Sequence, residues 1–396
     1  MRIALLAPMP PEQTGIADYA ANFCTALQGL GIQVETPLAG VGNDPAKALA
    51  RIASFDWSAV DLAHGELGGG RLAEFAALSE LRRRFPRLPL SATVHDPERL
   101  VWRRARLPWP LSWAEHLPAP LPQVATVLAD PLCLREERCL AAQLDALVTL
   151  TETGGVHLRR RMKLGADKVR VIAHGNPIIP VAPLPPLQPL KLLYFGFIYR
   201  GKGIEDLLDA LAGMLRDAPA LTGAWRLTLA GGSAPEMAFA PGGSYLDELR
   251  ARIAELGLDE FVDWALDVPA EQIPSLIQAH HAMLLPYRES KKLALLGALR
   301  GTSGALSWAA ACGRGAITSD ARAFAEEVAA GNGAIFPQGD IAALTQRLRE
   351  LCERPQVAQT WADNAQRIGQ DRQWPVTAAR FLQLFTTLRG GSQYVA

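Results

Sequence analysis

The sequence predicts an α/β chain built from two doubly wound, Rossmann-like halves. Three observations carry this expectation. Short apolar runs alternate with amphipathic helical stretches through most of the chain, the pattern of parallel sheets flanked by helices. The alternation breaks at the proline-rich stretch PVAPLPPLQPL (180–190) and restarts beyond it. The 396 residues, 49% of them hydrophobic, are enough for two or three domain cores.

In the first half, RIALLA (2–7), LSATVH (90–95), ALVTLT (146–151) and VRVIAH (169–174) read as buried strands of one sheet. The proline-rich stretch is stiff and extended, and can be neither helix nor central strand, so it marks the domain boundary. Beyond it LKLLYFG (190–196) reads as a strand and IEDLLDALAGML (204–215) as a helix. WRLTLAGG (225–232) and YLDELRARIAELGL (245–258) repeat that pair. FVDWAL (261–266), HAMLLPY (281–287), GRGAITSD (313–320) and NGAIFP (332–337) supply further strands, and TAARFLQLFTTLR (377–389) holds a closing helix. The expected division is 1–180 for the first domain, 181–190 for the linker, 191–370 for the second domain and 371–396 for a closing segment.

Charge and cysteine usage narrow the function classes. Forty basic residues balance forty acidic ones, which argues against a general nucleic-acid binder. The five cysteines are odd in number, widely spread and form no CxxC, so they read as reduced, buried thiols rather than a disulfide frame or zinc site. The opening apolar run is too brief for a secretory signal, and no stretch of about 18 apolar residues is present to span a membrane. A soluble cytoplasmic protein is expected.

Doubly wound sheets bind ligands beyond the carboxyl ends of their strands, so residues that follow each strand are the candidates. After the first strand comes PPEQTGIADYA (10–20), where Gly15 and Ile16 open a helix whose free N–H groups suit an anion. An ordinary strand-to-helix loop would also account for it, and GxGxxG is absent there, which counts against a dehydrogenase. TVHDP (93–97) puts His95 and Asp96 at a strand end; a satisfied structural histidine is the plain alternative. His64, in DLAHGELGGG, is placed similarly with less support. FGFIYRGKGIEDLL (195–208) sets Arg200 and Lys202 in a glycine-rich loop before a helix, suited to clamp a diphosphate, although a solvated charged turn fits too. In RGTSGALSWAAACGRGAITSD (300–320), Gly301, Thr302, Ser303, Gly304 and Ala305 precede or open a helix of small residues, a ready phosphate seat. Close packing alone would also explain the small residues.

Taken in order, these stretches resemble the retaining glycosyltransferases of family 4, which have the GT-B fold of two Rossmann-like domains facing a cleft. PPEQTGIADYA looks like that family's N-terminal glycine loop, TVHD like its strand-end histidine, and FGFIYRGKG like its phosphate motif. LLPYR, SGALSWAAACGRGAITSD and GAIFPQGDIAAL are similar to its donor-binding core, and RQWP to the segment that crosses back to the N-terminal domain. One departure stands out. Arg300 and Trp308 occupy the places of two glutamates that many members carry eight residues apart, associated with the donor sugar and the ribose. Backbone and Ser/Thr hydroxyls can take over that role, Glu289 can move in from the longer loop, or the donor site is inactive.

The resemblance implies transfer of a sugar from a nucleoside diphosphate to a hydroxyl of a glycan or lipid-linked acceptor, with retention, in surface polysaccharide assembly. Mannose from GDP-mannose is the first expectation, with UDP-sugars close behind. His95, Arg200 and Lys202 are then the catalytic residues. Gly15, Ile16, Gly196, Thr302, Ser303, Gly304 and Ala305 bind the donor, and Asp18, Tyr19, Asp96, Arg103 and Arg104 are acceptor candidates. No Asp-x-Asp occurs, so the resemblance implies no metal and no cofactor beyond the sugar nucleotide. RLVWRRARLPWPLSW (99–113) combines arginine with tryptophan and suits peripheral contact with an anionic membrane, or simply a proline-broken surface segment. The rival from another class is a non-catalytic nucleotide- or glycan-binding protein serving a partner. A nucleotide-sugar epimerase would need an acid/base pair that the sequence does not offer.

Overall fold

The computed structural model describes residues 1–102, 107–109, 111–118, 120–232, 244–289, 296–298 and 301–392. The chain forms two compact units: Met1–Gly175 with Leu293–Gly301 and Trp374–Ala396, and Asn176–Lys292 with Thr302–Gln373. The division therefore falls at Gly175, ahead of the proline-rich stretch, which is counted with the second unit. Among the described residues, 296–298 and Gly301 also fall in the first unit, which has no counterpart in the sequence expectation.

The first unit runs β1 (Arg2–Leu6), α1 (Gly15–Gly29), β2 (Gln33–Glu35), α2 (Pro45–Ser54), β3 (Leu62–Leu67), α3 (Ala73–Arg84), β4 (Leu90–Val94), α4 (Leu121–Gln143), β5 (Ala146–Thr149), α5 (Glu152–Met162) and β6 (Val169–Val171). Its strands are parallel and lie in the order β2-β1-β3-β4-β5-β6. Two strands escape the sequence reading. β2 is three residues long, and β3 carries the polar His64 and Glu66 within a fully buried run.

The second unit runs β7 (Leu190–Phe195), α6 (Ile204–Asp217), β8 (Trp225–Gly231), α7 (Tyr245–Glu255), β9 (Val262–Leu266), α8 (Ile273–Gln278), β10 (Ala282–Leu285), α9 (Gly304–Ala311), β11 (Gly315–Ser319), α10 (Phe324–Glu327), β12 (Gly333–Phe336), α11 (Ile341–Glu353) and α12 (Val357–Asp371). Its parallel order is β12-β11-β10-β7-β8-β9. The closing helix α13 (Trp374–Ser392) belongs to the first unit, where Trp374, Phe381 and Phe385 share a buried cluster with Tyr19 and Phe23 of α1.

Strand order locates the sites. In each sheet the direction of winding reverses once, between β1 and β3 in the first and between β7 and β10 in the second. The connections that leave these strands diverge to opposite faces of the sheet and open a crevice at the carboxyl ends. The loops that follow Leu6, Leu67, Phe195 and Leu285 therefore carry the candidates. The expectation of buried thiols holds for Cys24, Cys133 and Cys312, whereas Cys352 is half-buried and Cys139 is exposed on α4.

Candidate active site

In the first unit the carboxyl ends of β3 and β4 hold a cluster of two histidines around a glutamate. His95 follows β4, and its Nε2 lies 2.8 Å from Glu66 Oε2 on β3. Glu66 is completely buried. His64, two residues earlier and hence on the same face of the strand, brings Nε2 within 3.3 Å of the other carboxylate oxygen. The same His64 ring meets Ser91 Oγ at 2.8 Å and Thr93 Oγ1 at 2.9 Å. Burial works against the charge of Glu66, but hydrogen bonds from His64 and His95 outweigh it and hold its carboxyl below the usual range. Glu66 was not among the sequence candidates; a glutamate inside a strand with no exposed face was the available signal.

The residues around this cluster fall in two groups. Thr14 caps α1 by accepting from the Ala17 N–H at 3.1 Å, so Gly15 is the helix's first residue rather than part of the preceding loop. A side-chain carbon at Gly15 would meet nothing within 4 Å, and the fold leaves that side open. Ile16 packs against Gly68, and Asp96 accepts the Gly69 N–H at 3.0 Å, so both shape the turn after β3. Asp18 is exposed on α1. Tyr19 corrects an expectation: it is only 2% exposed, its ring packed edge-on against His95 at 4.8 Å and Trp374 at 5.0 Å. It supports His95 and presents nothing to an acceptor. Gly301 lies against the His95 carbonyl, where any side-chain carbon would come within 2.2 Å of the oxygen.

In the second unit the loop after β7 turns through Gly196, Gly201 and Gly203, all with positive φ. Gly203 stands so close to Pro286 after β10 that a side-chain carbon would fall 1.8 Å from its carbonyl oxygen. The expected pair of cations separates here. Lys202 turns inward: it is 9% exposed, with Nζ 3.7 Å from the centroid of the Tyr287 ring. Arg200 turns outward, pairs with Glu248 of α7 and lies over the Tyr245 ring. As a clamp residue it is corrected to a surface ion pair, since an anion would have to compete with that carboxylate.

Tyr287 links the inward lysine to the second loop. Its hydroxyl meets Ser303 Oγ at 3.1 Å, and Ser303 is the N-cap of α9. Burial pushes the Tyr287 phenol up, but Lys202, the Ser303 hydrogen bond and Arg322 outweigh it and hold it below the usual tyrosine value. Arg322 is a cation that sequence reading missed. It follows β11, donates to the Thr302 carbonyl at 3.0 Å and sits 5.7 Å from the Tyr287 ring. The Thr302 hydroxyl donates to buried Glu327 at 3.1 Å, which also accepts from Arg372 at 3.0 Å. Gly304 is exposed, Ala305 is 8% exposed, and the opening amides of α9 have no acceptor within their own helix. Two positive side chains, a hydroxyl and a helix N-terminus thus converge, an arrangement suited to an anion. The small residues of α9 also serve packing, because Gly369 of α12 lies directly on the Ala310 carbonyl.

Trp308, in one of the two glutamate places, is half-buried against the core of the second unit and brings no charge to the site. Glu289 does not substitute for it: its carboxylate accepts the Arg322 N–H at 3.0 Å. Arg103, Arg104 and Arg300 lie outside the described residues. A groove of about 640 Å³ lined by Trp57, Phe85, Arg84 and Arg389 sits beside Pro89, at the start of β4, away from the strand ends that carry the candidate residues. A smaller cavity of about 300 Å³, lined by Gly201, Gly203, Asp206 and Arg288, opens at the glycine loop itself.

Residues 177–368 match the family model described as glycosyl transferases group 1. No curated protein matches the chain. Among solved structures it is similar to sucrose-phosphate synthase from Thermosynechococcus elongatus, with a TM-score of 0.72 and 18% identity over 99% of this chain and 100% of that one. It is similar to Anabaena HepE in complex with UDP-glucose, with a TM-score of 0.64 and 20% identity over 98% and 100% of the two chains. The lipopolysaccharide outer core galactosyltransferase WaaB gives 0.63 and 15%, over 98% and 99%. At such identities these likenesses show the fold. Residues 177–368 are thus a group 1 glycosyltransferase domain, in a chain whose fold along its length is that of the GT-B structures.

Proposed function

We propose that the protein transfers a hexose from a nucleoside diphosphate to a hydroxyl of a glycan or lipid-linked acceptor, with retention and without a metal ion, in surface polysaccharide assembly at the cytoplasmic side. The observation that carries this reading is the convergence of Lys202, Arg322, Ser303 and the α9 N-terminus on Tyr287. As the bond from the anomeric carbon to the diphosphate opens, negative charge grows on the leaving phosphate, and preorganised donors there lower the barrier. The acceptor oxygen attacks from the same face and its proton passes to the departing phosphate. His95 positions the donor sugar, and the first unit holds the acceptor.

The donor has two readings. The sequence resemblance favours GDP-mannose. A UDP-sugar is favoured by HepE, a structural neighbour described in complex with UDP-glucose. Incubation with GDP-mannose, UDP-glucose and UDP-galactose in EDTA, following released nucleoside diphosphate and the anomeric proton of the product by NMR, tests both. An α-linked product from an α-configured donor supports the proposal. Release with inversion, or activity only after metal is restored, sinks the corresponding part of it.

Peripheral membrane contact is the second part of the proposal. Trp109 and Trp113 are 86% and 62% exposed, and Leu121, Val124, Leu128 and Leu132 form an exposed row along α4. Tryptophan beside an apolar row suits the interface of a bilayer. Co-sedimentation with anionic liposomes should fall for a Trp109→Ser, Trp113→Ser, Leu128→Ser variant; equal partitioning would remove the idea.

A further inference from the structure

We propose that Glu66 is a positioning residue for the transfer reaction: it takes the Nε2 proton of His95 in a hydrogen bond and so fixes Nδ1 as the ring nitrogen offered to substrate. The 2.8 Å contact occupies Nε2, and any ligand that reaches His95 meets the other nitrogen. Because Glu66 is charged, it can only accept, and the tautomer follows from its ionisation. A neutral glutamine would offer both a donor and an acceptor and would leave the ring free to take either form.

The surroundings are built to keep that carboxylate in place. His64 closes on its second oxygen and is itself held by Ser91 and Thr93 on β4. Tyr19 of α1 packs on the His95 ring, with His174 on another edge of the tyrosine. The titratable groups facing the pair are thus His64 on β3, Tyr19 on α1 and His174 after β6. Burying a carboxylate completely in a sheet is costly, and a well-packed apolar residue there would serve the fold as well or better. The exposed side of the cluster is the imidazole of His95, whose side chain is 12% accessible. A structure maintained around one partly accessible imidazole points to that ring's use.

The inference rests on the transferase reading only for what His95 touches, so two measurements separate them. Nitrogen-15 NMR of histidine-labelled protein, with His95→Asn to assign the signal, reads the tautomer without substrate. The expected result is the Nε2–H form in the wild type and its loss in Glu66→Gln. An Nδ1–H form in the wild type overturns the proposal, even if Glu66→Gln fails to fold. In the transfer assay Glu66→Gln should lower turnover about 10- to 100-fold, with little change in donor KM. The double variant with His95→Asn should be no slower than His95→Asn alone, because the glutamate acts through the histidine. Multiplied losses in the double variant would assign Glu66 a purely structural role and overturn the proposal.

Discussion

The Lys202 ammonium sits 3.7 Å from the Tyr287 ring centroid, and the Tyr287 hydroxyl meets Ser303 Oγ at 3.1 Å. Two loops far apart in sequence are thereby joined at the carboxyl end of one sheet. A cation held against an aromatic face cannot drift, so its charge is in place before any anion arrives. Lys202→Ala should lower turnover roughly 100-fold, which is about 3 kcal/mol of barrier. Arg200→Ala should cost far less, since that side chain is committed to Glu248. Steady-state rates of the two variants check the ranking.

Gly203 and Gly304 make opposite predictions. Gly203→Ala forces a left-handed backbone on a residue with a side chain, about 1–2 kcal/mol, and adds a collision with the Pro286 carbonyl. It should unfold at clearly lower denaturant concentration. Gly304 opens α9 with nothing within 4 Å of where its side chain would be. Gly304→Ala should change stability by less than about 0.5 kcal/mol. Its nucleotide affinity should nevertheless fall about tenfold, or 1.4 kcal/mol, because a methyl group keeps the phosphate off the amides. Urea melts and nucleotide titrations of both variants distinguish the fold's need for glycine from the ligand's.

Glu327 is the carboxylate that fixes the 302–304 loop from below. Glu327→Ala strips the Thr302 hydroxyl and Arg372 of a shared buried acceptor and should cost about 3 kcal/mol. Thr302→Val removes one hydrogen bond and should cost about 1 kcal/mol. Equal losses in the two variants, measured by urea unfolding, would contradict this account of the loop.

Glu66 gives a pH prediction. Its carboxyl is lowered in the folded protein, so the stability it contributes is present above the ordinary glutamate value near about 4.3 and is lost as pH falls through the lowered one. The stability difference between wild type and Glu66→Gln should therefore be widest near neutrality and shrink in acid. A difference that does not change between pH 7 and pH 3 would show that the carboxylate is not ionised in the fold.

The strand–helix alternation made both sheets legible, because buried parallel strands are short apolar runs and the second unit contains little else. β3 was not legible for the same reason in reverse: His64 and Glu66 interrupt the run, and their partners Ser91 and His95 lie on and just after β4, almost thirty residues away. The glycine loop at 196–203 and the TSG turn announced themselves through residue types that few other structures require. Which of Arg200 and Lys202 turns inward could not be read, since Glu248 on a later helix decides it. Arg322 was hidden because one arginine after a strand has no distinguishing pattern until Tyr287 and Thr302 stand beside it.

The most direct test of the central claim is a thermal-shift panel of GDP, UDP, ADP and dTDP, without metal, on wild type and Lys202→Ala. Ligand-linked stabilisation grows with the logarithm of concentration over dissociation constant, so the panel reports nucleotide choice as well as binding. The account predicts that GDP or UDP raises the melting temperature of the wild type and has little effect on Lys202→Ala. No shift with any nucleotide, or an equal shift in both proteins, would contradict a donor site built on Lys202, Tyr287 and Ser303.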